Sequence, residues 1–236
     1  MESKAKEEAV VVTGSRELSR PRDVRFWIAV TLLLAGSAAF GFIAAQVKTD
    51  APIMRQDLQV SVWLHTHGSA LFTALFLAVT QVHSTIGIAI MYLLVAYLLW
   101  RRKERYWLLS LTLAVPGGML VNNIVKHLFN RARPVWEDPI LTLTSTSFPS
   151  GHTSAATLFY GFIAAYVAYR VKSSNFTRAL FVFVAIVMVA LVGFSRIYLG
   201  VHFLSDILGA ISLSMVWLVI CLVGVRALAR VRGAPS

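Results

Sequence analysis

Between Phe26 and Val47 the chain reads FWIAVTLLLAGSAAFGFIAAQV, with no charged residue. The hydrocarbon core of a bilayer takes roughly 20 such residues per helix. In lipid the backbone must satisfy its own hydrogen bonds, so a chain built on blocks of this kind is helical. The block begins too late and runs too long for a cleaved leader, whose apolar region is about 7–15 residues. It is read as a retained first helix. Further apolar blocks place six spans at 26–47, 85–100, 107–128, 153–170, 179–198 and 204–225, the second starting a little earlier, near His83. The segment from Asp57 to Gln81 is broken by His65, His67 and Gly68 and is expected to form one or two helices lying in the interface. The expected architecture is all-α: a polytopic membrane protein with six transmembrane helices and interfacial helices between the first and second spans. A polar tail over 1–25 and a basic tail over 227–236 flank a membrane domain over 26–226.

Composition agrees, with 57% hydrophobic and 14% charged residues, where soluble domains carry about a quarter charged. The net charge of +11 does not signal nucleic acid, because no basic stripe lies on a soluble domain. The cations fall between apolar blocks instead. With the N-terminus inside, 16 of the 22 Lys and Arg residues lie in inner segments, and only Lys48, Arg55, Lys126, Arg131, Arg133 and Arg196 lie outside. That bias places both termini in the cytoplasm. The single cysteine, Cys221, sits in the last apolar block and is read as a small core residue.

Four of the six outer cations lie in segments that carry chemistry. Lys126 and Arg133 end the third span, seven residues apart, which returns to nearly the same helical face. Pro134 then turns the chain away from helix. Two cations on one face suit an oxyanion, and arginine adds a bidentate fork; snorkelling at a helix end is the other reading of Lys126. Pro149-Ser150-Gly151-His152 opens the fourth span. A helix start offers free N–H groups to an anion, glycine allows close approach, and the serine can cap. His152 taken alone reads equally as an interfacial histidine. His202 and Asp206 are spaced i, i+4 and face each other along one helix. The carboxylate can fix the ring tautomer and leave the other nitrogen free to attack; a structural pair locking two helices remains open. An ionised Asp206 inside an apolar span costs about 2.5–3.5 kcal/mol on insertion scales, so it needs a partner, and His202 is the obvious one. Arg196 adds a third cation, and together the three match a phosphate carrying about −1.5 to −2 charges.

Lys126-(six residues)-Arg133-Pro134, Pro149-Ser150-Gly151-His152 and Ser195-Arg196-(five residues)-His202-(three residues)-Asp206 together resemble the three-part signature of the type 2 phosphatidic acid phosphatase superfamily, with no departure at any position. The resemblance implies that His202 attacks phosphorus and forms a phosphohistidine while Asp206 holds its ring. His152 would protonate the leaving oxygen and then deprotonate water. Lys126, Arg133, Ser150, Gly151 and Arg196 would hold the phosphate oxygens. It implies no cofactor and no metal, and the sequence offers no carboxylate cluster or Cys/His quartet. His65 and His67 lack a third ligand and read as interfacial residues.

The implied substrate is a lipid phosphate or diphosphate in the bilayer: undecaprenyl diphosphate, phosphatidylglycerophosphate or phosphatidate, the first favoured for a bacterial chain. A competing reading is a transporter or anion-binding membrane protein. Transporters place their site near midplane between inverted repeats, whereas here the polar groups gather at one face and no repeat is visible. Haloperoxidases resemble the same site but are soluble. Pro116-Gly117-Gly118 in the third span reads either as a kink that shapes lipid access or as small-residue packing. Trp136, Glu137 and Asp138, in the loop 135–148, are expected beside the site as a lid or headgroup contact.

Overall fold

A computed structural model describes residues 22–49, 52–170 and 174–233. Most of the expected N-terminal tail, residues 1–21, lies outside the described residues, as do 234–236. The described chain is helical and contains no strand. Its eight helices are α1 (Arg22–Lys48), α2 (Ile53–Thr66), α3 (Ala70–Val82), α4 (Thr85–Arg101), α5 (Arg105–Phe129), α6 (Gly151–Arg170), α7 (Asn175–Tyr198) and α8 (Leu204–Val231).

Four helices are long and apolar enough to cross a bilayer: Phe26–Lys48 within α1, then α5, α7 and α8. The other two expected spans fall short for different reasons. Helix α4 is apolar but has 17 residues, about 25 Å at the helical rise, against a core about 30 Å thick. It starts at Thr85 rather than near His83, because the Ser84 hydroxyl caps it by accepting from Gly87 N at 3.3 Å.

Helix α6 is long enough but too polar, and its position explains why. It packs against α5, α7 and α8, and Thr153, Ser154, Ala156, Leu158 and Phe162 are fully buried in it. A helix jacketed by other helices does not need an apolar outer face. By contrast α7 leaves Phe176, Phe183 and Ile186 largely exposed along its first half, as a surface meant for lipid does. Helices α2 and α3 occupy the interrupted segment and are bent by 119° at their junction. Tyr198 of α7 fastens that bend: its hydroxyl accepts from Ser69 N at 2.9 Å and donates to Ser69 O at 3.2 Å.

Two apolar clusters hold the bundle. Leu111, Val115, Leu158, Phe159, Phe162, Leu218 and Cys221 join α5, α6 and α8, so Cys221 is a core residue. Leu64, Phe76, Ile197, Leu199, Val201 and Ile207 join α2, α3, α7 and α8. At Gly118 a methyl group would come within 2.5 Å of Leu158 and 2.9 Å of Trp217. Trp217 also donates to Leu113 O at 2.9 Å, so the glycine serves tight packing of α5 on α6 and α8, while Pro116 lines a cavity described below.

Candidate active site

The chain reverses direction from α5 to α6 and again from α7 to α8, so the C-terminal ends of α5 and α7 meet the N-terminal ends of α6 and α8. Every residue singled out for phosphate chemistry lies at this end. Three direct links hold it together. Ser150 N donates to Asp206 O at 3.1 Å, Ser147 N donates to Arg131 O at 2.8 Å, and Val201 N donates to Arg196 O at 3.2 Å.

Lys126 and Arg133 converge, though not by sharing a helical face. Helix α5 stops at Phe129, because Asn130 adopts the left-handed conformation (φ 45°) and its N–H closes on Lys126 O at 2.9 Å. The chain then turns back. Lys126 Nζ donates to Thr146 O at 2.7 Å and Arg133 Nη2 donates to the same oxygen at 3.2 Å. Arg133 is held further by Ser145 O (2.6 Å), Ser145 Oγ (2.9 Å) and Val201 O (2.6 Å). Burial pulls its guanidinium below the usual value, with Asp206 opposing.

His202 does not lie on a helix either. It precedes α8, which begins at Leu204, and Asp206 sits in the first turn. From there Asp206 Oδ2 reaches back to Phe203 N at 2.9 Å and to His202 Nδ1 at 3.2 Å. The i, i+4 contact therefore forms across a helix start, as the return arm of a capping box does. On the other side of the ring Arg133 Nη1 approaches His202 Nε2 at 3.1 Å. A guanidinium can only donate, so Nε2 carries the lone pair and Nδ1 the proton. The 2% exposed ring has a pKa lowered to about 4, chiefly by burial and further by Arg133 and Arg196, against the pull of Asp206. A neutral imidazole in this tautomer can attack phosphorus through Nε2.

Arg196, 2% exposed near the end of α7, donates through Nη1 to Thr80 Oγ1 of α3, and its Nε has no partner among the described residues. Its charge and that of Arg133 act on Lys126. His152, the second residue of α6, lies within electrostatic reach of Arg196, His202, His83 and Arg133. Ser150 is fully buried directly before α6, with its Oγ accepting from Thr153 Oγ1 at 3.1 Å. A methyl group on Gly151 would meet Lys126 Cε at 4.0 Å. The structure thus brings together all eight residues: Lys126, Arg133, Ser150, Gly151, His152, Arg196, His202 and Asp206. A cavity of about 330 Å³ opens beside His152, lined by His83, Tyr92, Pro116, Met119 and Gly151.

Sequence reasoning missed Arg131 and Asp57. Asp206 has a second partner, closer than His202: Arg131 Nη1 donates to Asp206 Oδ1 at 2.6 Å while Nη2 reaches Asp57 Oδ2 at 2.8 Å. The only signals were a cation on the wrong side of the charge bias and an acid in an interrupted apolar segment. Trp136 donates to Gly200 O at 2.8 Å and stacks on His65 at 4.1 Å, which fastens the loop 135–148 to α2 and to the turn before His202.

Residues 105–230 match the family model of the PAP2 superfamily. Over 96 residues the chain is 38% identical to phosphatidylglycerophosphatase B of Bacillus subtilis (strain 168), covering 41% of this chain and 47% of that protein. The chain thus spans about half the length of the curated relative it matches. Among solved structures, that of a transmembrane PAP2 type phosphatidylglycerolphosphate phosphatase from Bacillus subtilis superposes with a TM-score of 0.72 at 27% identity, covering 86% of this chain and 96% of that one. Aquifex aeolicus LpxE gives 0.55 at 23% identity, covering 71% and 94%, a likeness in fold.

Proposed function

Because the chain belongs to the PAP2 superfamily, we propose that it is a multi-pass membrane phosphatase that removes phosphate from a lipid phosphate or diphosphate through a phosphohistidine. The observation that carries this reading is the His202 ring, with Nδ1 on Asp206 and Nε2 facing Arg133. Lys126, Arg133, Arg196 and the N–H groups at the start of α6 hold the phosphate oxygens and meet the charge that grows on them in the transition state. His202 Nε2 attacks phosphorus, a P–N bond forms, and the P–O bond to the lipid breaks as His152 gives the departing oxygen a proton. His152 then takes a proton from water, whose oxygen attacks phosphorus and breaks the P–N bond. Phosphate leaves, and both histidines are restored.

Six helices, α1 and α4 to α8, cross the bilayer, with α2 and α3 in the interface and the site on the outer face. The cation bias of the sequence supports this orientation. Among the candidate lipids, the names of the Bacillus subtilis sequence and structure matches favour phosphatidylglycerophosphate over phosphatidate and undecaprenyl diphosphate.

The test is phosphate release by the purified protein in detergent against a panel of lipid mono- and diphosphates, with vanadate expected to inhibit and EDTA expected to have no effect. His202→Ala must abolish turnover while the protein stays folded. Near-normal release by that variant refutes the nucleophile.

A further inference from the structure

A buried ion network lies directly behind His202 and belongs to none of the groups that would touch phosphate. Arg131, 7% exposed, bridges two carboxylates, Asp57 (1%) and Asp206 (0%). Both terminal nitrogens are engaged: Nη1 donates to Asp206 Oδ1 at 2.6 Å and to Ser205 Oγ at 2.7 Å, and Nη2 donates to Asp57 Oδ2 at 2.8 Å and to Met54 Sδ at 2.9 Å, while Nε has no partner among the described residues. The guanidinium also lies over the Phe203 ring, 4.4 Å from its centroid. Asp57 is held in turn by Ser205, whose N–H donates to Oδ1 at 2.9 Å and whose hydroxyl donates to Oδ2. Ser205, the residue before Asp206, and Arg131, its partner in space, are therefore both tied to one aspartate on α2. Asp57 lies outside residues 105–230 that match the family model.

We propose that Asp57 is a positioning residue for the reaction: through Arg131 it sets the angle and the effective charge of the carboxylate that orients His202. This rests on the phosphatase reading above. Asp206 has two oxygens with divided tasks, Oδ1 to Arg131 and Oδ2 to His202 and Phe203 N. If Arg131 shifts, the carboxylate rotates and Oδ2 leaves the imidazole. Charge gives a second reason. Arg131 paired with Asp206 alone would cancel the carboxylate that must steady positive charge on the ring as phosphorus is attacked. Asp57 takes up the second arm of the guanidinium, and the formal sum of the two carboxylates and one cation stays negative. A buried bridge of this kind is weak as a stabilising device, because desolvation offsets its attraction. Its position against the orienting carboxylate gives it another use.

The experiment compares wild type, Asp57→Asn, Arg131→Gln and the double variant, each in detergent. It follows steady-state phosphate release from a lipid phosphate, inhibition by vanadate, and thermal unfolding. Asparagine keeps the shape of Asp57 and removes its charge. Asp57→Asn is expected to lower kcat about tenfold or more, by analogy with the loss seen when the outer partners of metal-bound histidines are removed. KM and the vanadate inhibition constant should stay within about threefold of wild type, since the phosphate-holding cations are untouched. On the Arg131→Gln background the same change should add little, because Asp57 acts through Arg131.

An unchanged kcat overturns the proposal. So does a parallel fall of kcat, vanadate affinity and folded fraction, which marks a purely structural tie, and so do effects that multiply in the double variant. If Asp57→Asn does not fold, Arg131→Lys carries the test, because a point charge cannot bridge two carboxylates at a fixed angle. Wild-type kcat in Arg131→Lys then overturns the strut. Wild type that releases no phosphate from any lipid phosphate overturns both this inference and the functional reading; an active wild type with an unaffected Asp57→Asn overturns this inference alone.

Discussion

Replacing His202 by glutamine should make the folded protein less sensitive to acid. In the native state the His202 imidazole is held at a pKa of about 4, chiefly by burial, which overcomes the pull of Asp206 with smaller help from Arg133 and Arg196, whereas in the unfolded chain it returns to about 6.5. A base whose folded pKa is depressed behaves oppositely to a paired histidine. Above about pH 6.5 both states are neutral and nothing is lost. As pH falls from 6.5 towards 4 the unfolded chain binds a proton that the native chain does not, so stability declines, and below 4 the decline stops. Each unit is worth about 1.4 kcal/mol, which gives about 2 kcal/mol by pH 5 and about 3 kcal/mol over the whole window. For a chain of this size about 1 kcal/mol moves Tm by roughly 2–4 °C. Between pH 7.5 and pH 5 the Tm of wild type should therefore drop by about 4–8 °C more than that of His202→Gln, measured by thermal unfolding in one detergent at one ionic strength. Parallel curves for the two proteins would refute the reasoning. The ring would then be charged or wet in the native state, and its readiness to attack at neutral and mildly acid pH would have lost its physical basis.

Three other outcomes are expected. His152→Ala should lower turnover of a lipid phosphate by about 10²–10⁴-fold, and an aryl phosphate, whose leaving group needs no proton, should suffer much less; equal losses on both would remove His152 from general acid duty. Gly200 has a φ of 71°, and a methyl group there would come within 2.5 Å of Trp136 Nε1, so Gly200→Ala should destabilise by about 1–3 kcal/mol, read as a lower Tm, and an unshifted Tm would show that the turn before His202 is free to move. A reporter fused at Trp136 should register outside the cytoplasm, and a cytoplasmic signal there would invert the proposed orientation.

What could be read from the sequence was the chemistry carried by spacing. The eight residues from Lys126 to Asp206 were identifiable because histidine, carboxylate and cations recur at fixed intervals near the ends of apolar blocks, and the structure gathers them all. The local shapes were less legible. Seven residues suggested one helical face for Lys126 and Arg133, but Asn130 ends α5 in the left-handed region and the loop brings the two cations together at a shared carbonyl. Four residues suggested one helix for His202 and Asp206, yet α8 begins between them. The Asp57–Arg131 contact was beyond reach, since it joins residues 74 apart and neither carries a pattern by itself. Helix α6 was legible as a helix, but its low hydropathy made sense only once its neighbours were in place.

That polar, jacketed α6 depends on its neighbours for cover. Thr153, Ser154 and Thr157 are buried in the finished bundle, whereas an α6 standing alone would leave these side chains uncovered. The segment bearing His152 is covered by α5 on one side and by the two helices that follow on the other. Shelter and chemistry come from one source, because the hairpin of α7 and α8 that covers this segment also delivers Arg196, His202 and Asp206.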